Sequence, residues 1–226
     1  MTGTMVEFRG NGRTSSGYLA TPAGGRGPGV VVVQEWWGLV DHIKDVANRF
    51  AADGFVALAP DLYQGAQAPS PDEAEKLRMA LDVARASGDL RGAAAYLLAH
   101  DAVRPKKVAV VGFCMGGQLA LFAAAEHADV ISAAVDFYGL HPSVEIDAGK
   151  VRAPVLAHFG RRDRGLPEAR AAAVVERLRA AGVAIDAYFY DAGHAFFNDA
   201  RPRAYDEASA ALAWTRTVQF LRRHLA

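Results

Sequence analysis

The chain has 226 residues, enough for one large domain with a substantial core, and 51% of them are hydrophobic, as in an ordinary soluble globular protein. Its 25 basic and 25 acidic side chains balance, so no overall field attracts nucleic acid or an anionic membrane surface, and we expect neither as a partner. Cys114 is the only cysteine, which excludes an intramolecular disulfide and a cysteine-based metal cluster within one chain.

Short β-branched runs alternate with longer alanine-rich segments of helical spacing, a pattern typical of an α/β fold with a mainly parallel sheet. We predict an antiparallel pair of strands at 4–9 and 16–21, then a central strand at 27–34 whose continuous apolar residues indicate burial on both faces. Further predicted strands lie at 55–62, 106–113, 130–139, 153–160 and 183–191, and predicted helices lie at 40–53, 71–86, 90–100, directly after Cys114, at 167–181 and at 204–224. Pro60 is expected to end strand pairing, and Asp89 to cap the helix at 90–100. No interdomain linker is visible, so we expect one domain over residues 1–226.

The stretch VAVVGFCMGG at 108–117 joins a predicted strand to a predicted helix and contains the pattern G-x-C-x-G. This is the layout of the nucleophile elbow of α/β-hydrolases, with a thiol in place of the usual hydroxyl. Gly112 and Gly116 would prevent steric collision around the sharp turn. A buried structural cysteine is the alternative interpretation, because free cysteine is among the most buried residue types.

A nucleophile needs a base, and the base needs a carboxylate that orients it. In α/β-hydrolases these residues follow in the order nucleophile, acid, histidine, and this chain has Cys114, Asp163 and His194 in that order. Each follows the carboxyl end of a predicted strand, where ligands bind to open α/β sheets. The sequence therefore predicts a Cys-His-Asp catalytic triad.

Five motifs occur in order along nearly the whole chain: QEWWG at 34–38, PDLY at 60–63, GFCMGG at 112–117, the 160–167 loop that contains Asp163, and AGHAF at 192–196. With these motifs the sequence resembles the dienelactone hydrolases, or carboxymethylenebutenolidases. The resemblance implies an α/β-hydrolase fold with helices on both faces of the sheet and no large cap domain. It also implies a triad of Cys114, Asp163 and His194.

The resemblance further implies a catalytic role for Glu35 of the Q-E motif. In this interpretation Glu35 contacts the resting thiol and is displaced by substrate, so that Cys114 becomes a thiolate only in the complex. A nearby carboxylate would oppose thiolate formation by like-charge repulsion and so protect the thiol from oxidation. The alternative is a surface carboxylate that ends a strand.

The predicted reaction is attack of Cys114 on the carbonyl carbon of a lactone or small ester, which gives a thioester acyl-enzyme. We expect the backbone N–H groups of Met115 and Trp36 to hold the oxyanion. His194, oriented by Asp163, would then promote attack of water on the thioester.

Substrate recognition is where the sequence departs from the pattern that it resembles. Dienelactone hydrolases that act on dienelactones bind the substrate carboxylate with two arginines. Arg78 is a possible match for the first of these arginines. Asn198 stands at the position of the second, although Arg201 and Arg203 are close in sequence. A different substrate is therefore compatible with the sequence. An apolar pocket could be formed by aromatic residues in or beside the motifs, with ordinary core packing as the alternative for each: Trp36, Trp37, Phe113, Tyr138, Phe196 and Phe197.

Two functions of other classes stay open at this point: a non-catalytic small-molecule binder on the same fold, and a redox sensor built on Cys114. For the hydrolase we expect a small-molecule lactone or ester as partner, no cofactor, no metal, and a monomer or homodimer. No apolar run is long enough to cross a bilayer, and the first residues lack a basic segment followed by an apolar one. We therefore expect a cytoplasmic protein.

Overall fold

One mixed sheet organises the chain in the computed structural model, which describes residues 3–10, 12–139, 141 and 143–226. Within these residues the sheet has eight strands: β1 (Thr4–Gly10), β2 (Arg13–Ala20), β3 (Gly27–Val33), β4 (Val56–Pro60), β5 (Val103–Phe113), β6 (Ala133–Phe137), β7 (Val155–Gly160) and β8 (Ile185–Tyr190). Their spatial order is β1-β2-β4-β3-β5-β6-β7-β8. β1 and β4 are both antiparallel to β2, and the other neighbours are parallel. The predicted α/β class, antiparallel start and mainly parallel sheet are confirmed.

Helices cover both faces of the sheet because its central strands are apolar on both sides. The described helices are α1 (Asp41–Ala52), α2 (Pro71–Ala80), α3 (Val83–Ala99), α4 (Met115–Glu126), α5 (Glu168–Ala180) and α6 (Glu207–Leu225). Side chains alternate along β3, so Val30 and Val32 pack with α1 and α6, whereas Val31 and Val33 pack with α3 and α4. None of the described helices combines the length and the apolar character that a membrane span requires.

The boundary between α2 and α3 differs from the prediction. Leu81 is extended, and the side chain of Asp82 accepts a 3.0 Å hydrogen bond from the backbone N–H of Arg85, so α3 begins at Val83. Asp89, the predicted cap, is instead buried inside α3, where its Oδ1 accepts a 2.6 Å hydrogen bond from the Ser15 hydroxyl. Asp82 therefore satisfies a free N–H at the helix start, which was the role expected of Asp89.

The carboxyl ends of the parallel strands meet at one edge of the sheet, and the predicted site residues follow four of them. Glu35 follows β3, Cys114 follows β5, Asp163 follows β7 and His194 follows β8. The topology therefore brings together residues that are far apart in sequence.

Candidate active site

Cys114 occupies a strained turn between β5 and α4. Its φ of 54° and ψ of −122° are rare for a residue with a Cβ, and such conformations cost of order 1–3 kcal/mol each. The flanking glycines are sterically required. A Cβ on Gly112 would lie 1.8 Å from the carbonyl oxygen of Gly116, and a Cβ on Gly116 would lie 2.5 Å from the carbonyl oxygen of Val33. The G-x-C-x-G segment thus has the tight strand-to-helix geometry predicted from its sequence.

Asp163, His194 and Cys114 form a continuous hydrogen-bonded chain. His194 Nδ1 lies 2.6 Å from Asp163 Oδ2, and His194 Nε2 lies 3.2 Å from Cys114 Sγ. The other carboxylate oxygen of Asp163 accepts hydrogen bonds from the backbone N–H groups of Gly165 and Leu166. These bonds fix the carboxylate and leave Oδ2 to orient the imidazole.

The surroundings of His194 favour its protonated form. Burial opposes a charge on the imidazole, but the hydrogen bonds to Asp163 and Cys114 and the negative charges of these residues outweigh burial and raise the pKa of His194 to about 10. Once the thiol proton has moved to the imidazole, the neighbouring thiolate and the Asp163 carboxylate therefore stabilise the imidazolium.

Two backbone N–H groups at the site, those of Met115 and Trp36, donate to no backbone acceptor among the described residues. Met115 is the first residue of α4, so its N–H has no acceptor within the helix, and among the described residues the N–H of Trp36 also donates to no backbone oxygen. The close approach of Gly116 to the carbonyl oxygens of Val33 and Gln34 packs the start of α4 against the end of β3, which leads into Trp36. This arrangement is compatible with the oxyanion hole expected from the sequence.

Glu35 is buried at the site, with a relative exposure of 1%, but it makes no hydrogen bond to the thiol. Its Oε2 accepts a 2.6 Å hydrogen bond from Asn198 Nδ2, and its Oε1 has no partner among the described residues. Burial raises the pKa of Glu35, while nearby His42, Asn198, His194 and Arg201 act in the opposite direction. In this state the thiol of Cys114 hydrogen bonds to His194 and not to Glu35.

A partly buried polar network behind Glu35 was not predicted from the sequence. Asn198 binds Glu35, and the next residue, Asp199, accepts from His42 Nδ1 at 3.1 Å and also binds the Arg49 guanidinium. His42 Nε2 is buried and, like Glu35 Oε1, has no partner among the described residues. The only available signal was Asn198 itself, which stands where an arginine was expected.

A cavity of about 580 Å³ opens in front of Cys114 and His194. Trp36 and Trp37 line it, with ring centroids 5.0 Å apart, and Arg78 lies in its wall and forms an ion pair with Glu75. Arg201, one of the nearby arginines noted in the sequence, also lines the cavity, and its guanidinium lies 3.4 Å from the centroid of the Trp37 ring. Arg78 and Trp37 are therefore at positions that a substrate could contact.

Four of the six aromatic residues expected in the pocket lie behind it. Phe113, Tyr138 and Phe196 have no exposed surface, Phe197 is 2% exposed, and all four belong to the core cluster, so the prediction that they line the pocket is wrong. Tyr138 packs against the imidazole of His194, with ring centroids 5.2 Å apart, and also against Phe196 at 5.3 Å. These side chains support the site from beneath, as the alternative of core packing proposed.

No three His, Cys, Asp or Glu side chains of the described residues are grouped so that they could hold a metal ion.

Comparisons with known proteins agree with this geometry. The model of the dienelactone hydrolase family matches residues 15–225. The carboxymethylenebutenolidase of a Pseudomonas species is 34% identical over 231 residues, which cover 98% of this chain and 94% of that protein. The protein usf of Aquifex pyrophilus is 37% identical over 230 residues, which cover 99% of both chains. The crystal structure of a dienelactone hydrolase-like promiscuous phosphotriesterase from metagenomic libraries superposes with a TM-score of 0.88 at 29% identity, covering 100% of this chain and 99% of that one. The chain therefore belongs to the dienelactone hydrolase family.

Proposed function

We propose that the protein hydrolyses a lactone or small carboxylic ester through a thioester on Cys114. The observation that carries this proposal is the hydrogen-bonded chain of Asp163, His194 and Cys114, which faces an open cavity at the carboxyl edge of the sheet. Membership of the dienelactone hydrolase family supports the same reaction class.

The reaction begins when His194 Nε2 takes the thiol proton and Cys114 Sγ attacks the carbonyl carbon of the substrate. The N–H groups of Met115 and Trp36 stabilise the oxyanion that forms. The bond between the carbonyl carbon and the leaving oxygen then breaks, and that oxygen receives the proton from His194. A thioester stays on Cys114.

Water completes the cycle. His194 takes a proton from water as the water oxygen attacks the thioester, and the proton returns to the sulfur when the carbon–sulfur bond breaks. The reaction consumes one ester and one water and releases one acid and one alcohol. For a lactone, both groups belong to the same product molecule.

The cavity wall contains Glu35 and Glu75 as well as arginines, and its unpaired arginines support a substrate that carries a carboxylate. Arg201 and Arg170 line the cavity, and neither forms an ion pair with another described residue. Arg78 is already paired with Glu75. We therefore propose that Arg201, which lies on the face of the Trp37 ring, is the principal ligand of the substrate carboxylate. It would take the role of the arginine that was expected at position 198, where this chain has asparagine.

The test is hydrolysis of a panel of lactones and aryl esters, each with and without an acyl-side carboxylate, by wild type and by Cys114→Ala. We expect hydrolysis by wild type, a preference for the carboxylate-bearing members, and loss of turnover in the variant with an unchanged circular dichroism spectrum. A wild-type protein that binds these compounds without hydrolysing them would instead be a small-molecule binder. Unchanged turnover in Cys114→Ala would refute the role of the cysteine.

A further inference from the structure

A second cavity borders His194, and we call it the outer cavity. It has a volume of about 500 Å³ and shares Gly165, His194 and Ala204 with the catalytic cavity. Its remaining wall includes three arginines, Arg162, Arg164 and Arg203. His194 thus borders both a space lined by tryptophans and a space lined by arginines.

Two of these arginines are not neutralised by the protein. Arg162 is paired, with its Nε 3.0 Å from Asp191 Oδ1. Arg164 and Arg203 are exposed, and neither forms an ion pair with a carboxylate of the described residues.

The one carboxylate in this wall, Asp206, already has a partner. It caps α6 and accepts a 2.9 Å hydrogen bond from the backbone N–H of Ser209. Arg164 and Arg203 outnumber this one carboxylate, so the outer cavity has a net positive charge, which favours binding of an anion.

The reaction chemistry indicates which part of a substrate would reach this charge. The leaving oxygen must approach His194 Nε2 to receive its proton, so the alcohol part of the ester lies beside the imidazole. The acyl part stays bonded to Cys114 in the catalytic cavity. Because His194 belongs to both walls, the outer cavity with Arg164 and Arg203 is the neighbouring space that an extension of the alcohol part would enter.

We propose that the outer cavity binds an anionic group, such as a carboxylate, on the alcohol side of the substrate. This inference rests on the proposed function, because it uses His194 as the proton donor to the leaving group. Together with the carboxylate proposed at Arg201, it assigns to the protein substrates that carry an acidic group on each side of the scissile bond.

The test compares two acetate esters that share the acyl group, 4-acetoxybenzoate and the neutral 4-acetoxybenzamide. The double variant Arg164→Gln/Arg203→Gln removes both unpaired charges. Arg26→Gln is the matched control, since Arg26 is exposed in the turn before β3, at the opposite edge of the sheet.

We expect wild type to prefer 4-acetoxybenzoate. The double variant should lose roughly tenfold in kcat/KM for this substrate through a higher KM, which is the effect that the loss of two exposed ion pairs would give. The amide should change less than about twofold. Added salt should reduce the wild-type preference.

Three results would overturn the proposal. Wild type could show no preference for 4-acetoxybenzoate, the double variant could lose kcat/KM equally for the acid and the amide, or Arg26→Gln could lose as much kcat/KM for the acid as the double variant does. Monophenyl adipate, whose carboxylate lies on the acyl side, should be hydrolysed equally by wild type and the double variant, and a parallel loss would also contradict the assignment.

A binding measurement separates this inference from the proposed function. If neither acetate ester is hydrolysed, the proposed function fails, but titration of Cys114→Ala with 4-hydroxybenzoate, followed by NMR, still tests the outer cavity. We expect saturable binding that the two arginine substitutions weaken. Binding that is absent, or unaffected by those substitutions, would overturn the inference.

Discussion

Asn198 Nδ2 donates a 2.6 Å hydrogen bond to Glu35 Oε2, and the two residues are 163 positions apart in the chain. Both side chains are buried, with relative exposures of 2% for Asn198 and 1% for Glu35. Oε2 of Glu35 is thus bound to the side-chain amide of Asn198 and not to the thiol of Cys114. The thiol hydrogen bonds to His194. Asn198 therefore positions Glu35 in the free protein.

Asn198→Asp should destabilise the fold. The substitution keeps the shape of the side chain but replaces the amide donor with a second carboxyl group beside buried Glu35. We expect a loss of about 2–4 kcal/mol in the free energy of unfolding at pH 7, measured by urea denaturation. A midpoint equal to that of wild type would show that this hydrogen bond does not stabilise the protein.

Glu35→Gln tests whether the carboxylate suppresses the thiolate, and the effect should depend on pH. Burial raises the pKa of Glu35, so at pH values below that pKa the residue is neutral and the substitution removes no charge. Above it, wild type has a negative charge near Cys114 that opposes thiolate formation, and the variant does not. The ratio of iodoacetamide alkylation rates, variant over wild type, should therefore rise from about one as pH increases.

The control for this experiment is an unchanged fold and an equal thiol titre in guanidinium chloride. A ratio that stays at one or falls across the whole pH range would mean that Glu35 does not suppress the thiolate. Its role would then be to position the Trp36 loop, and the roles proposed for Cys114, His194 and Asp163 would be unaffected.

The elbow glycines should not tolerate a methyl group. Gly112→Ala and Gly116→Ala each bring a Cβ within 2.5 Å of backbone oxygens, which cannot move without shifting β3 or α4. We expect each variant to lose more than about 3 kcal/mol of stability or to be insoluble. Gly24→Ala is the matched control, because its Cβ meets no atom within 4 Å and its stability should stay within about 0.5 kcal/mol of wild type. Equal stability of all three variants, measured by thermal unfolding, would contradict the tight-turn geometry.

His194→Ala should lower kcat far more than it changes KM. The imidazole moves protons in the transition states, and such groups contribute roughly 10²- to 10⁴-fold to rates. We expect a decrease in that range with an aryl ester substrate, and a KM within about threefold of wild type. A variant in which only KM changed would assign to His194 a role in binding rather than in proton transfer.

The chain order of the catalytic residues could be predicted because it follows from the sheet. Cys114, Asp163 and His194 each stand just past an apolar strand, and parallel strands bring such positions to one edge whatever the loops between them do. The tight turn at Cys114 was also predictable. A G-x-C-x-G pattern after an apolar strand indicates that the backbone comes too close at Gly112 and Gly116 for any side chain.

Contacts that depend on packing could not be predicted in the same way. Nothing local distinguishes Phe113 or Phe196, which lie behind the site, from Trp37, which lines it. His42 and Asp199 meet across 157 positions of sequence through the docking of the segment after β8 on α1. Asp82 and Asp89 are both capping residue types, and the competition between them was decided by the tertiary contact of Asp89 with Ser15.

Detection of an acyl group on Cys114 tests the central claim most directly. The protein is mixed with an aryl ester, quenched in acid within the first turnovers, and its intact mass is measured beside that of Cys114→Ala treated identically. Because Cys114 is the only cysteine, a thioester can form nowhere else in the chain. We predict that wild type gains the mass of one acyl group, that neutral hydroxylamine removes it, and that Cys114→Ala gains nothing. Multiple turnovers of wild type with no acyl mass at any quench time, or an equal acyl mass on Cys114→Ala, would contradict covalent catalysis by this cysteine.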